Sequence, residues 1–362
     1  MINKIKENIG LIFILMIPFT VLLYWHIKTS NIGFIYFYCL DYWYHYKIVI
    51  RMFEGLINLN PEVFYNIGPF FQYGTPVFLV YLIFSLPFMI LGYDSMVIFT
   101  YKMVILSFAL MSVTYLYFFS RLYLNKINSL LICTIFMGMP AFWDSMDYPN
   151  PYLMQNFLLV SALFYLAKDN ANYSKNFWLS CILIGLAIST KTEAITFLPI
   201  PLAYIFHKEL TSLNFSNLFK NFILVGKVLF IVLTLYLIFN PYILHPVGLS
   251  YVYRSILNNL EYGMQILSTY EIIFNMFRIA YVHYILFFII ILFLLYHIYR
   301  IIKFSLPPIN TAVSSYLIAI LIYMLFMFKS ANFLYYIPLF TIVIMMFVLV
   351  LKDFKPKPIF LF

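Results

Sequence analysis

Apolar residues in this chain run in long blocks separated by short polar stretches, without the two-residue alternation that marks a half-buried strand. The blocks lie near 9–25, 96–119, 128–143, 152–168, 176–190, 193–206, 219–239, 281–300, 311–328 and 332–351. Most reach the roughly 17–25 residues a helix needs to cross a bilayer, so the pattern predicts an all-α polytopic membrane protein with about ten transmembrane helices. One further block, 76–92, is as long as a short span but contains Pro87.

Composition supports the same class. With 64% hydrophobic and 10% charged residues over 362 positions, the chain cannot build a soluble domain with a polar shell. The net charge of +9 does not indicate a nucleic-acid partner, because the basic residues stand singly and in pairs between apolar blocks and form no stripe. Cys39, Cys133 and Cys181 are scattered and odd in number, so they define neither a disulfide framework nor a metal spacing. Lys4 and Lys6 precede the first block, and His26, Lys28 and Thr29 follow it without a small-residue cleavage site, which predicts a retained signal anchor.

Charge also sets the expected topology. If 76–92 is re-entrant or lies along the membrane, the cytoplasmic loops hold Lys4, Lys6, Arg121, Lys126, Lys168, Lys175, Lys208, Lys220, Arg300, Lys303, Lys352, Lys355 and Lys357, thirteen of the 22 basic residues. If it spans, most of those charges move outside, against the positive-inside rule. The expectation is therefore a multi-pass plasma (inner) membrane protein with both termini cytoplasmic. Asp41, Glu54, Glu62, Asp94, Asp144, Asp147, Glu193, Glu261 and Glu271 then face outward, nine of the 13 acids, and any chemistry is extracytoplasmic.

The most specific stretch is DYWYHYKIVIRMFEG, from Asp41, running on to NIGPFFQYGTPVF. Read as a helix it places Lys47, Arg51 and Glu54 on one narrow polar stripe and Ile48, Val49, Met52, Phe53 and Leu56 over much of the rest, the pattern of a membrane-lying helix. Asp41 and His45, four residues apart, share a face near its start.

This order of anchor, outer loop with Asp and then His, EG-containing helix and Gly/Pro-aromatic patch (GPFFQYGTP) resembles the GT-C superfamily of polytopic glycosyltransferases, in particular the branch of protein O-mannosyltransferases and the lipid A aminoarabinose transferase. IFTYKMVILSFAL resembles the family's second span, with Lys102 as its basic residue. MGMPAFWDSMDYPNPYLMQNF resembles the Pro-containing outer turn with its acids, here Asp144 and Asp147. GLAISTKTEAITFLPIPLAYI resembles the threonine-lysine break between two spans, with Lys191 as the lysine and Glu193 beside it. SANFLYYIPLF resembles the aromatic-proline approach to the terminal helices. The chain departs from the pattern in having Asp41-Tyr42 where family members often have Asp-Glu, and in offering only Lys329 where many have Arg. The family's frequent C-terminal soluble domain is not expected, since only a basic tail from Lys352 follows the last block, so a single domain over 1–362 is predicted, with outer loops near 28–95 and 240–280.

The resemblance implies sugar transfer from a polyprenyl-phosphate donor to a hydroxyl of a glycan, lipid or protein acceptor. Such a reaction needs a carboxylate base, for which Asp41 is the candidate, and attack opposite the leaving phosphate inverts the anomeric carbon. Cations must neutralise the departing phosphate where water is scarce; Lys191, Lys102, Arg254, Arg278 and Lys329 lie on the required side. Asp144 and Asp147, flanked by Trp143 and Tyr148, could orient a sugar. Asp41, His45, Asp144 and Asp147 are ligand types that hold divalent metals, but no spacing makes them converge and no metal is assigned. Two other classes share some of these features. A lipid-linked oligosaccharide transporter or flippase should carry internal repeats with matched helix breaks, and the break at 191–193 has no clear partner. An O-antigen-type polymerase should carry arginine-rich outer loops, which here hold only Arg51, Arg254 and Arg278.

Overall fold

The structure, a computed structural model, describes residues 2–30, 40–66, 74–147, 151–212, 217–250, 253, 291–292, 294–303, 306–326 and 337–353. The described residues form helices and connecting turns with no strand, giving the all-α membrane architecture that the apolar blocks predict. In chain order the helices are α1 (Ile2–Thr29), α2 (Leu40–Ile57), α3 (Pro61–Tyr65), α4 (Thr75–Ile90), α5 (Asp94–Arg121), α6 (Lys126–Met137), α7 (Pro140–Asp147) and α8 (Pro151–Asp169). They continue as α9 (Lys175–Thr190), a 3-10 turn (Thr192–Phe197), α10 (Pro199–Ile205), α11 (His207–Ser212), α12 (Leu218–Phe239), a second 3-10 turn (Pro241–Leu244), α13 (Pro308–Phe326) and α14 (Ile337–Asp353). Three stretches, Asn8–Thr29, Asp94–Arg121 and Leu218–Phe239, are long and apolar enough to cross a membrane. The 281–300 block lies largely outside the described residues.

Helix α5 is the central post. It packs on α8, α4, α6 and α1 and buries Tyr101, Ile105, Ala109, Val113 and Leu116. Phe108 meets Phe157 at 5.8 Å and Tyr115 meets Phe164 at 5.6 Å, so α5 and α8 run in parallel. The bundle therefore has two recognisable ends. At one, Arg121 closes α5, Lys126 opens α6 and Lys352 lies over the Tyr123 ring at 5.1 Å. Lys168 and Lys175 flank the loop at the same end. Its turn is tied by buried Asp169, which accepts hydrogen bonds from the Tyr173 amide (3.0 Å), the Ser174 amide (2.8 Å) and hydroxyl (2.5 Å), and the Tyr204 hydroxyl (3.1 Å). At the other end α9 finishes at Thr190, α12 finishes at Phe239 and α8 begins. This Lys191 end carries Glu54, Glu62, Asp94 and Glu193 together with Lys47, Arg51, Lys102 and Lys191.

Both ends of α4 belong to the Lys191 end. The Gly74 amide donates to the Thr190 carbonyl (2.8 Å) and the Thr75 amide donates to Asn240 Oδ1 (3.2 Å), which fixes the start of α4 beside the ends of α9 and α12. Its other end turns through residues 91–93 directly into Asp94. Tyr81 stacks on Tyr101 at 4.8 Å, so α4 runs beside only the first part of α5.

Helix α2 presents the expected stripe. Lys47, Arg51 and Glu54 are exposed, Ile48, Val49 and Met52 are buried, and Leu56, expected on the covered side, is 44% exposed. Tyr46 reaches from α2 to the start of α5 and donates to Asp94 Oδ1 at 2.6 Å. Burial, reinforced by that carboxylate, raises the Tyr46 phenol well above its ordinary pKa and keeps it a donor.

Two blocks expected as single helices are each built from two pieces. In 128–143, α6 ends at Met137 and Pro140 opens α7, with the Trp143 indole N–H donating to the Met137 carbonyl at 2.7 Å across the joint. In 193–206, a 3-10 turn precedes α10, because Pro199 and Pro201 lack the amides a continuous helix needs and fit a first turn instead.

Gly74 approaches the α9 backbone so closely that an added Cβ would lie 1.6 Å from the Ser189 carbonyl oxygen. Gly74→Ala should therefore cost about 3 kcal/mol or more, at the upper end of overpacking effects, because the obstacle is backbone. Asp169→Ala should cost about 1–3 kcal/mol through its stranded donors. Thermal midpoints in mild detergent test both; an unchanged midpoint in either variant contradicts the corresponding packing account.

Candidate active site

Helix α9 stops at Thr190 because Lys191 is extended (φ −156°, ψ 131°), and the chain re-enters a helical turn at Thr192. The end of a helix leaves its last carbonyls without intrahelical donors. The structure supplies partners from three distant segments. The Gly74 amide takes the Thr190 carbonyl, Asn240 Nδ2 donates to the Ser189 carbonyl (3.3 Å), and Gln155 Nε2 donates to the Lys191 carbonyl (3.1 Å) and the Ala187 carbonyl (3.4 Å).

The break projects the Lys191 side chain into the bundle, where it is 1% exposed. Its ammonium lies 2.9 Å from Glu193 Oε2, donates to the Tyr152 hydroxyl and sits 3.8 Å from the centre of the Tyr152 ring. Tyr152 in turn donates to Glu193 Oε2 at 3.4 Å, closing a triangle of cation, phenol and carboxylate. Glu193 is 26% exposed, so the triangle opens on one side. Beside it lies a cavity of about 30 Å³ lined by Tyr152, Gln155, Glu193, Tyr316, Tyr323 and Pro338 among others, enough for about one water. Phe197 packs edge-on against Tyr316 at 5.0 Å and holds α13 against the turn. On the side of α14, Thr341 donates to Asn156 at 2.7 Å and locks that helix to α8 next to Gln155.

Lys102 is placed differently. It is buried on α5 and its ammonium donates to the Thr29 carbonyl (3.2 Å) and hydroxyl, so it caps the C-terminus of α1. His45 is buried on α2 with its ring edge 5.4 Å from Phe78. His245 stacks on Tyr242 at 5.0 Å and accepts from the Val247 amide, as a loop histidine does. Asp41 lies in the first turn of α2 and Asp144 and Asp147 on α7, but their side chains fall outside the described residues. Arg254, Arg278 and Lys329 lie outside them altogether. Among the described residues no three His, Cys, Asp or Glu gather in a way that could hold a metal ion.

The structure thus joins Lys191 and Glu193 and adds Tyr152, Gln155, Tyr316 and Tyr323, which the sequence reading did not single out. Gln155 carried a usable signal, being a polar residue near the start of an apolar block. Tyr316 and Tyr323 carried none, since tyrosine is abundant throughout the chain.

No known family model matches the sequence, and no curated protein matches it. Among solved structures, the crystal structure of ArnT from Cupriavidus metallidurans bound to undecaprenyl phosphate is similar at a TM-score of 0.47 and 11% identity, over 79% of this chain and 51% of that one. The chain thus spans about half the length of that protein, and a likeness of this degree assigns no role to any residue here.

Glu193→Gln should leave the Lys191 ammonium without its counter-ion and lower stability by about 1–3 kcal/mol, less than for a fully buried pair because Glu193 meets solvent. Adding Lys191→Met should recover most of that loss. A double-mutant cycle on thermal unfolding measures it, and strictly additive effects would contradict the pairing.

Proposed function

We propose that this protein is a glycosyltransferase that moves a sugar from a polyprenyl-phosphate donor to an acceptor hydroxyl on the extracytoplasmic face of the plasma (inner) membrane, with both termini cytoplasmic and one domain spanning the whole chain. The observation that carries the reading is the Lys191 triangle: an ammonium held inside a membrane bundle, at a helix break, with one open side. A cation fixed where the dielectric is low stabilises a departing phosphate more than one in water. The sequence resemblance to GT-C enzymes assigns the threonine-lysine break to this part of such a protein.

In the proposed reaction the Asp41 carboxylate accepts the proton of the acceptor hydroxyl while its oxygen bonds to the anomeric carbon. The bond from that carbon to the phosphate oxygen breaks, both electrons leave with polyprenyl phosphate, and the configuration inverts. Lys191 receives the phosphate charge, with Glu193 and Tyr152 orienting the ammonium between turnovers. Lys102, Arg254, Arg278 and Lys329 are further candidate cations, and His45, Asp144, Asp147 and Glu193 candidate contacts to sugar or acceptor. The cavity of about 30 Å³ is too small for a sugar phosphate, so donor binding requires the site to open further. The acceptor is a glycan, lipid or protein, and no nucleic acid takes part.

The test is turnover of synthetic polyprenyl-phosphate sugars by the purified protein. Asp41→Asn should lower kcat roughly 10²–10⁴-fold with donor binding kept. Lys191→Gln should lower it roughly 10²–10³-fold, with part restored in Lys191→Arg. Donor transport across vesicles without turnover, unaffected by Asp41→Asn, would favour a flippase and overturn the proposal.

A further inference from the structure

The cavity beside the Lys191 triangle is lined by one hydroxyl that the folded chain does not use. Tyr316, on α13, is fully buried, yet among the described residues its hydroxyl makes no hydrogen bond. Neighbouring polar groups are already committed. Gln155 Nε2 donates to the Lys191 and Ala187 carbonyls, the Thr196 hydroxyl donates to the Glu193 carbonyl (3.0 Å), and the Tyr152 hydroxyl donates to Glu193 Oε2. A buried phenol without a partner has given up water and gained no bond in return, so it lowers the stability of the fold that carries it.

Packing holds the ring in place. Phe197 meets it edge-on at 5.0 Å, and the adjacent Ser315 hydroxyl donates to the Pro199 carbonyl (3.1 Å), which ties this turn of α13 to the start of α10. The phenol is therefore fixed in position while its O–H stays available, which is how a preorganised donor is built. Phe197 follows Glu193 by four residues on the same 3-10 turn. One short segment thus sets both the carboxylate beside Lys191 and the tyrosine across the cavity.

Size and charge together say what such a donor would meet. A cavity of about 30 Å³ has room for about one oxygen atom with its protons, not for a ring. The Lys191 ammonium is bonded to two of the lining residues, Glu193 and Tyr152, so an oxygen bearing negative charge is favoured over a neutral one. We propose that Tyr316 is a binding residue for the lipid donor, its hydroxyl donating to one phosphate oxygen that enters this cavity while Lys191 neutralises the charge. The proposal rests on the glycosyltransferase reading and deepens it by giving the phosphate a neutral donor as well as a cation.

The experiment measures binding of polyprenyl phosphate without a sugar to the purified full chain in detergent, with the uncharged polyprenol as control, for the parent, Tyr316→Phe and Lys191→Gln. Tyr316→Phe should weaken polyprenyl phosphate binding about tenfold, the loss of one hydrogen bond to a charged group, and leave polyprenol binding unchanged. Without ligand the same variant should unfold at the parent's temperature or higher, because no bond within the chain is lost. Unchanged affinity of Tyr316→Phe, weakening only for the sugar-bearing donor, or a lowered unfolding temperature of the unliganded variant would each overturn the inference, the last by showing that the hydroxyl serves the fold. A parent that binds no polyprenyl phosphate, or binds it as well with Lys191→Gln, would instead overturn the glycosyltransferase reading and this inference with it.

Discussion

The chain reverses direction at Lys191, and the carbonyls left open at the end of α9 are met by atoms from three remote segments. Gly74 answers Thr190, Asn240 answers Ser189, and Gln155 answers Lys191. Each contact fixes a different part of the molecule: the start of α4, the end of α12 and the start of α8. The break therefore does more than redirect the chain. It is the junction at which the outer segments are held to the bundle, and it can exist only because a glycine at 74 lets two backbones touch.

The same junction gives Lys191 its chemistry. Had α9 continued, the side chain would have followed the helix surface; the extended residue instead turns it into the bundle. Taking an ammonium out of water is costly, and here the cost is offset by a carboxylate two residues on and a tyrosine from α8. The ammonium sits beside an opening, a different arrangement from Lys102, which donates to the last residue of α1.

Much of this was legible in the sequence where the signal is local. The apolar blocks and the stripe on α2 follow from spacing, whereas the threonine-lysine break is legible only through the family resemblance. What was not legible depends on long-range registration. Asn240 reads as an ordinary residue after a span, yet it bonds to Thr75 across 165 positions of the chain. Nothing local marks Tyr316 as a neighbour of Phe197, and only the packing of α13 on the 192–197 turn brings them together. Lys102 stands inside an apolar block and Lys191 between two; the fold alone shows that the first caps a helix and the second faces a cavity. The proline-driven splits of 128–143 and 193–206 were readable in principle, since Pro140, Pro199 and Pro201 all stand inside the apolar blocks.

The central claim is that a lipid phosphate is received at the Lys191 triangle. A polyprenyl phosphate bearing a photoreactive group next to its phosphate, cross-linked to the purified protein and mapped by peptide sequencing, tests it most directly. The account predicts labelling of Tyr152, Tyr316 or Tyr323, competed by unlabelled polyprenyl phosphate and lost in Lys191→Gln; labelling confined to the opposite, Arg121 end of the bundle, or unaffected by that substitution, would contradict it.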